Sequence, residues 1–365
     1  MNSRHRVVTA MSCQQPDRVP TLDLIFSPVI DQIGAILGIT KEHDPADGRT
    51  GLVYDIKVWC EAVRALELDG TFFYNQKMES LGGGLSKDDF GIIYKPSPHG
   101  EAVVVKGIAS DMSDLKGLDL IKTVTPNKFE DLQYVIEHVG SDRAHFLVTI
   151  DPFRWSWQVR GGMDKFLGDF VVNPQLVHAI QRVTTDYLLA TVEMAATLKL
   201  DIVGVYMGGD LADERTTLMS PKHFRTFVQP YEKEIVDCAH RHGYKFVKHT
   251  DGNLWPILDD LVAAGFDSLH PIQPQCMDIG EVKRRVAGKM CIEGNIDIRE
   301  ILPFGTVDQV VDEVKRIITV AAPGGGYILG SSNSIMPGLN PHNVIAMYEA
   351  ARKYGVYPDL TNRVQ

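Results

Sequence analysis

His249 and Asp251 stand two residues apart in Lys248-His249-Thr250-Asp251-Gly252-Asn253, directly after the apolar run Lys245-Phe246-Val247. An imidazole and a carboxylate placed where a strand turns into a glycine loop can converge on one small object. That object is a metal ion, a proton in transit or a substrate oxygen, and the residues alone leave the choice open. Other β-rich runs also end in polar residues. Asp151-Pro152-Phe153-Arg154-Trp155 follows one, Asp210 closes another just beyond Tyr206, and His270-Pro271 ends a third. Glu293-Gly294-Asn295 and Ser331-Ser332-Asn333-Ser334 close two more. Singly, each has an ordinary explanation: Asp210 as a loop cap, His270 as a hydrogen-bonded structural histidine, Glu293 as a buried carboxylate paired with Arg299 or a lysine. Six strand ends converging on one opening are a functional site.

The elements that must position these residues recur regularly. β-rich runs occur at Thr21–Phe26, Gly70–Tyr74, Phe146–Ile150, Ile202–Tyr206, Lys245–Lys248, Phe266–Leu269, Met290–Glu293 and Gly326–Leu329. Between them, Pro174–Leu198, Pro221–His242, Leu254–Ala264, Ile279–Val286 and Val307–Ala321 carry apolar residues at helical spacing. Asn173-Pro174 and Ser220-Pro221 are helix starts, and Gly243, Gly265 and Gly288 are stops. Eight strands alternating with helices predict an α/β fold, a single (β/α)8 TIM barrel spanning residues 1–365, over an open doubly wound sheet. Residues 82–107 break the pattern as a β-hairpin insertion, with Phe90–Tyr94 and Ala102–Lys106 as its strands. Gly82–Gly84 reads as a flexible lid, and Gly324–Gly326 as a tight turn at the barrel base.

Composition narrows the partners. A net charge of -10 without a concentrated basic stripe argues against nucleic acid and anionic membranes. No apolar run is long enough for a membrane span. Five scattered cysteines, with no CxxC pair, fit a reducing compartment and predict a cytoplasmic protein without a sequence-local zinc knuckle.

Several motifs resemble the uroporphyrinogen decarboxylase superfamily. They are Arg6-Val7-Val8-Thr9-Ala10-Met11 with Pro16-Asp17-Arg18-Val19-Pro20, Leu218-Met219-Ser220-Pro221 through Pro230-Tyr231, the His249–Asn253 block, Gly294-Asn295-Ile296-Asp297 and Gly325-Gly326-Tyr327-Ile328-Leu329. The resemblance implies a (β/α)8 barrel and, as further expectations, a homodimer and one of two chemistries: porphyrinogen decarboxylation or methyl transfer involving corrinoid proteins. Decarboxylases carry an arginine-rich segment after the first strand that grips substrate carboxylates. Here Leu22–Ile30 contains no arginine, so the resemblance favours the methyltransferase branch. Thiol-methylating members bind zinc through His-x-Cys after the fifth strand and a cysteine after the eighth. Asp251 replaces the first cysteine, and the Ser332/Asn333 region replaces the second. A harder site suits cleavage of an ether C–O bond over methylation of a thiol.

The expected activity is demethylation of a small methoxylated compound, an aromatic one in the first instance, with the methyl group passed to Co(I) of a corrinoid on a partner protein. No cobalamin-binding motif occurs in this chain. His249, Asp251, Asp210 and Asp151 are the expected catalytic residues. His249, Asp251 and Glu293 are the expected ligands if Zn2+ is bound. Arg154, Tyr206, His270, Asn295, Ser332, Asn333, Phe26 and Trp155 are expected to line the substrate. A decarboxylase acting on another acid and a non-catalytic ligand-binding barrel are the alternatives.

Overall fold

A computed structural model describes residues 1–26, 29–39, 56–73, 78–96 and 102–357. Among the described residues, seven strands form one parallel sheet: β1 (Gly70–Phe73), β6 (Ala144–Ile150), β7 (Gly204–Gly208), β8 (Lys245–His249), β9 (Ser268–His270), β10 (Cys291–Ile296) and β11 (Tyr327–Ser331). They lie side by side in chain order, so every crossover steps one place in the same direction and the sheet curls into a TIM-barrel-like fold.

The first expected run, Thr21–Phe26, occupies the eighth place without forming a regular strand. Thr21 and Ile25 make isolated parallel bridges to Leu329 and Ile335. On the other side, Asp69 N–H donates to the Thr21 carbonyl at 3.0 Å. The ladder is broken because carboxylates take backbone donors on both flanks. The Thr21 N–H donates to Asp69 Oδ2 and the Ser331 N–H to Asp23 Oδ2, each at 2.9 Å. Gly330 permits the close approach, since a Cβ there would sit 2.5 Å from the Leu22 carbonyl oxygen.

The insertion is larger than a hairpin. Four antiparallel strands, β2 (Glu79–Gly82), β3 (Leu85–Lys87), β4 (Ile93–Pro96) and β5 (Ala102–Lys106), form a separate sheet. Gly82–Gly84 turns β2 into β3 with all three residues at positive φ, a tight turn in place of the expected lid. Tyr74, Ser27, Pro28 and residues 97–101, which fall within expected elements, lie outside the described residues.

The helices follow the local signals. Asn173 and Ser220 cap helices starting at Pro174 and Pro221, their side chains accepting from Leu176 N and His223 N. The expected helix Pro221–His242 is two helices, Pro221–Phe227 and Gln229–Arg241. Pro230 has no N–H to continue the helical ladder, which explains the break at Val228.

Strand alternation sorts side chains between two cores. Phe72, Phe146, Tyr206, Val247, Cys291 and Ile328 pack inside the curl with Leu22 and Leu24. Phe246, Leu269, Met207 and Leu329 face the surrounding helices. No helix among the described residues is long and apolar enough to cross a membrane.

Candidate active site

Gly208, His249 and His270 are register partners across β7, β8 and β9, which places them on one rung at the C-terminal ends of the strands. His249 follows the parity of inward-facing Val247, and His270 that of Ser268. The two Nδ1 atoms are 2.8 Å apart, so one of them carries a proton and the other accepts it. The buried Tyr206 hydroxyl lies 3.3 Å from His270 Nδ1 and fixes that ring from below. Burial, reinforced by the charges of Lys248 and Arg154, pushes the His249 imidazole down to about 3. Burial also holds His270 well below its ordinary value. Both rings are neutral at working pH, so His249 cannot supply a proton as an imidazolium. With the shared proton on His270, His249 presents Nε2–H toward Asp210, whose Oδ1 is 3.9 Å away.

Asp210 and Asp251 come from different loops. Gly252 (φ +88°) lets these loops touch, because a Cβ there would lie 2.6 Å from the Asp213 carbonyl oxygen. Two further bonds tie the loops together: Leu211 N–H to Thr250 Oγ1 at 2.9 Å and Asn253 N–H to the Asp213 carbonyl at 2.8 Å. The Asp210 and Asp251 carboxyl groups are close enough that the charge on Asp210 disfavours ionisation of Asp251. Burial first, then the charge and hydrogen bond of Asp210, raise Asp251 above the ordinary carboxylate range. Asn333 Nδ2 donates to Asp251 Oδ2 at 2.9 Å and orients it from the loop after β11. Arg154 NH1 lies 3.7 Å from Asp210 Oδ2 and is the cation closest to this group among the expected site residues. The arrangement is two carboxyl groups, one of them with a raised pKa, beside a neutral histidine dyad at the C-terminal ends of the strands.

The family profile described as uroporphyrinogen decarboxylase (URO-D) matches residues 87–354. The chain belongs to the uroporphyrinogen decarboxylase family. Curated relatives include the uroporphyrinogen decarboxylases of Pseudomonas fluorescens strain SBW25, 27% identical over 70% of this chain and 72% of that protein, and of Neisseria gonorrhoeae, 28% identical over 65% and 69%. Among solved structures, a methyltransferase from Methanosarcina mazei superposes with a TM-score of 0.73 at 19% identity, covering 97% of this chain and 99% of that one. That likeness supports the barrel fold.

Within this barrel, several expected site residues stand elsewhere. Asp151 is not a free acid or base. It is fully buried, caps the helix Pro152–Arg160 by accepting from Arg154 N, and pairs with Lys248 Nζ. Lys248 faces outward by strand alternation and also meets Glu232 Oε1 at 2.9 Å, on the helix Gln229–Arg241. Burial alone would lower the Lys248 ammonium, but Asp151 and Glu232 overcome that and hold it above its usual value. A Cβ on Gly209 would strike the Asp151 carboxylate at 2.2 Å, so the loop after β7 closes over this ion group.

Glu293 is neither paired with Arg299 nor gathered with His249 and Asp251. Its Oε1 accepts from Ser268 Oγ at 2.5 Å, deeper in the barrel, and burial pushes its carboxyl up to about 8. Arg299 pairs instead with Glu214. Among the described residues, the ligand atoms of His249, Asp251 and Glu293 do not all lie within 4.8 Å of one another. As placed, these three residues do not fit one zinc ion.

Trp155 is turned away from the dyad. Its ring packs 4.4 Å from Phe90 of the insertion and lines a cavity of about 150 Å3 with Tyr187, Val148 and Ile150. Ser332 Oγ accepts from Ile298 N at 3.1 Å and joins two loops. Phe26 is half-buried and packs against both cores. Asn295 is buried with Oδ1 unpartnered, as are Glu293 Oε2 and His270 Nε2.

Gln273, which accepts from Gly252 N at 2.9 Å, and the Lys248–Glu232 pair were missed from sequence. Lys248 carried a signal: a lysine at the apolar-facing parity of a strand needs a buried counter-charge.

Proposed function

We propose that this barrel demethylates a small methoxylated compound, with the methyl group leaving to the Co(I) of a corrinoid held on a partner protein. The observation that carries the proposal is the placement of His249 Nε2 3.9 Å from Asp210 Oδ1, beside Asp251, whose buried carboxyl is pushed up to about 7. Breaking a CH3–O bond by attack on carbon leaves the bonding electrons on oxygen, and a poor leaving group must take up a proton as it departs. The carboxyl pair supplies that proton, and His249 Nε2–H hydrogen-bonds the same oxygen and orients it. Atoms and charge balance: methyl ether, proton and Co(I) nucleophile give the free hydroxyl compound and the methylated acceptor. Co(I) supplies the electron pair that takes the methyl group, and its approach must be in line with the breaking C–O bond. Proton donation replaces the zinc-assisted form, because Glu293 is committed to Ser268.

Decarboxylation of a polycarboxylate fits less well. The family match begins at residue 87, downstream of the arginine-free stretch Leu22–Ile30. Arg154, an expected lining residue, already faces Asp210.

The test incubates the protein with methoxylated aromatic compounds and a reduced corrinoid protein, following the corrinoid's visible spectrum. Methyl transfer is expected, with Asp251→Asn about 10²- to 10⁴-fold slower. CO2 release from a porphyrinogen without any corrinoid, or full activity in Asp251→Asn, would overturn the proposal.

A further inference from the structure

Cys238 and His242 are four residues apart around the C-terminal end of the helix Gln229–Arg241, so their side chains share one face. Glu193, on the neighbouring helix Pro174–Thr197, reaches both. The Cys238 thiol donates to Glu193 Oε1 at 3.3 Å, and His242 Nε2 lies 2.8 Å from Glu193 Oε2. The three ligand atoms all lie within 4.8 Å of one another.

We propose that Glu193, Cys238 and His242 bind one soft divalent cation of the zinc class. The donor set is sulfur, imidazole nitrogen and carboxylate oxygen, which suits zinc and does not suit the all-oxygen demands of calcium or magnesium. A tetrahedral zinc with bonds of roughly 2.0–2.3 Å holds its ligand atoms about 3.3–3.7 Å apart. The spacings here are close enough for rotamer adjustments to complete the shell. Cys238 is buried whereas Glu193 and His242 are exposed, so the sulfur forms the floor and the solvent side keeps a fourth position for water. Arg241 NH2, 3.9 Å from Glu193 Oε1, is largely exposed and free to turn outward. Binding forms the metal–sulfur bond and releases the thiol proton to solvent, with no change of oxidation state.

Both helices run from this cluster into the N-terminal ends of β7 and β8, so the site lies at the barrel base, opposite the His249 mouth. The cation would clamp two outer helices. It is independent of the proposed reaction.

Cobalt(II), titrated into chelator-treated full-length protein, tests this directly. One ion per chain should bind with a thiolate-to-cobalt charge-transfer absorption. That absorption should vanish in Cys238→Ser and persist in His249→Ala. Loss of outer-shell partners alone costs metal sites about 10- to 100-fold in affinity, so His242→Ala should weaken binding at least about tenfold. His242 is exposed, so this variant tests the site even if Cys238→Ser folds poorly. Absence of the band in the wild type, its survival in Cys238→Ser, unweakened binding in His242→Ala, or its loss in His249→Ala would each overturn the proposal.

Discussion

Burial first, and then the charge of Asp210, push the Asp251 carboxyl up to about 7. As a general acid it works only while protonated, so the rate should fall as pH rises through its raised pKa. Asp210→Asn removes the charge and hydrogen bond that help raise that value, so the alkaline limb of the kcat/KM profile should move to lower pH; an unmoved limb would assign the proton elsewhere. Glu293 gives a stability counterpart. Its carboxyl is pushed up to about 8 in the fold, whereas an unfolded glutamate titrates near about 4.3. Between those values the native state binds the extra proton, so stability is full below the lower value and declines as pH rises toward the upper one. Glu293→Gln should flatten the fall in urea midpoint between about pH 5 and 8, and an equally steep fall in the variant would refute this assignment. His249, Asp251, Asp210 and Asn333 could be picked out of the sequence because polar residues beyond strand ends must face the mouth. Asp151 could not, because nothing local says that its carboxylate turns down to cap a helix and meet Lys248.

The strand–helix alternation was legible because each apolar run obeys one period and ends at glycine or proline. Two elements were not, and both failures have local causes. Thr21–Phe26 has strand composition, but Asp23 and Asp69 divert the ladder's backbone donors to side chains hundreds or tens of residues away. The Pro221–His242 pattern is continuous, yet Pro230 interrupts the helix it describes. Between elements, Lys248 joins β8 to two helices by standing between Asp151 and Glu232, with all three side chains buried. Lys248→Met would leave two carboxylates facing each other without a cation. We expect a loss of about 3–5 kcal/mol in urea unfolding, as for other broken buried pairs. A loss under about 1 kcal/mol would mean that the carboxylates simply protonate at little expense.

For the molecule as a whole, the proposed reaction and the proposed cation site stand at opposite ends of the barrel, and mutation at each end separates them. Zinc found in the purified protein would be assigned to the base if His242→Ala removed it, and to the mouth if His249→Ala did. The barrel seam has a different kind of consequence. Pro20–Phe26 is held between β1 and β11, and Asp23 meets Ser331 across 308 residues of chain. During synthesis, residues 20–26 therefore wait with one flank unpaired until β11, about 300 residues further along the chain, has left the ribosome. Sealing this seam must await β11, after the other six strands of the parallel sheet have been made. Until then, the backbone of residues 20–26 is an open edge exposed to other chains in a crowded cell.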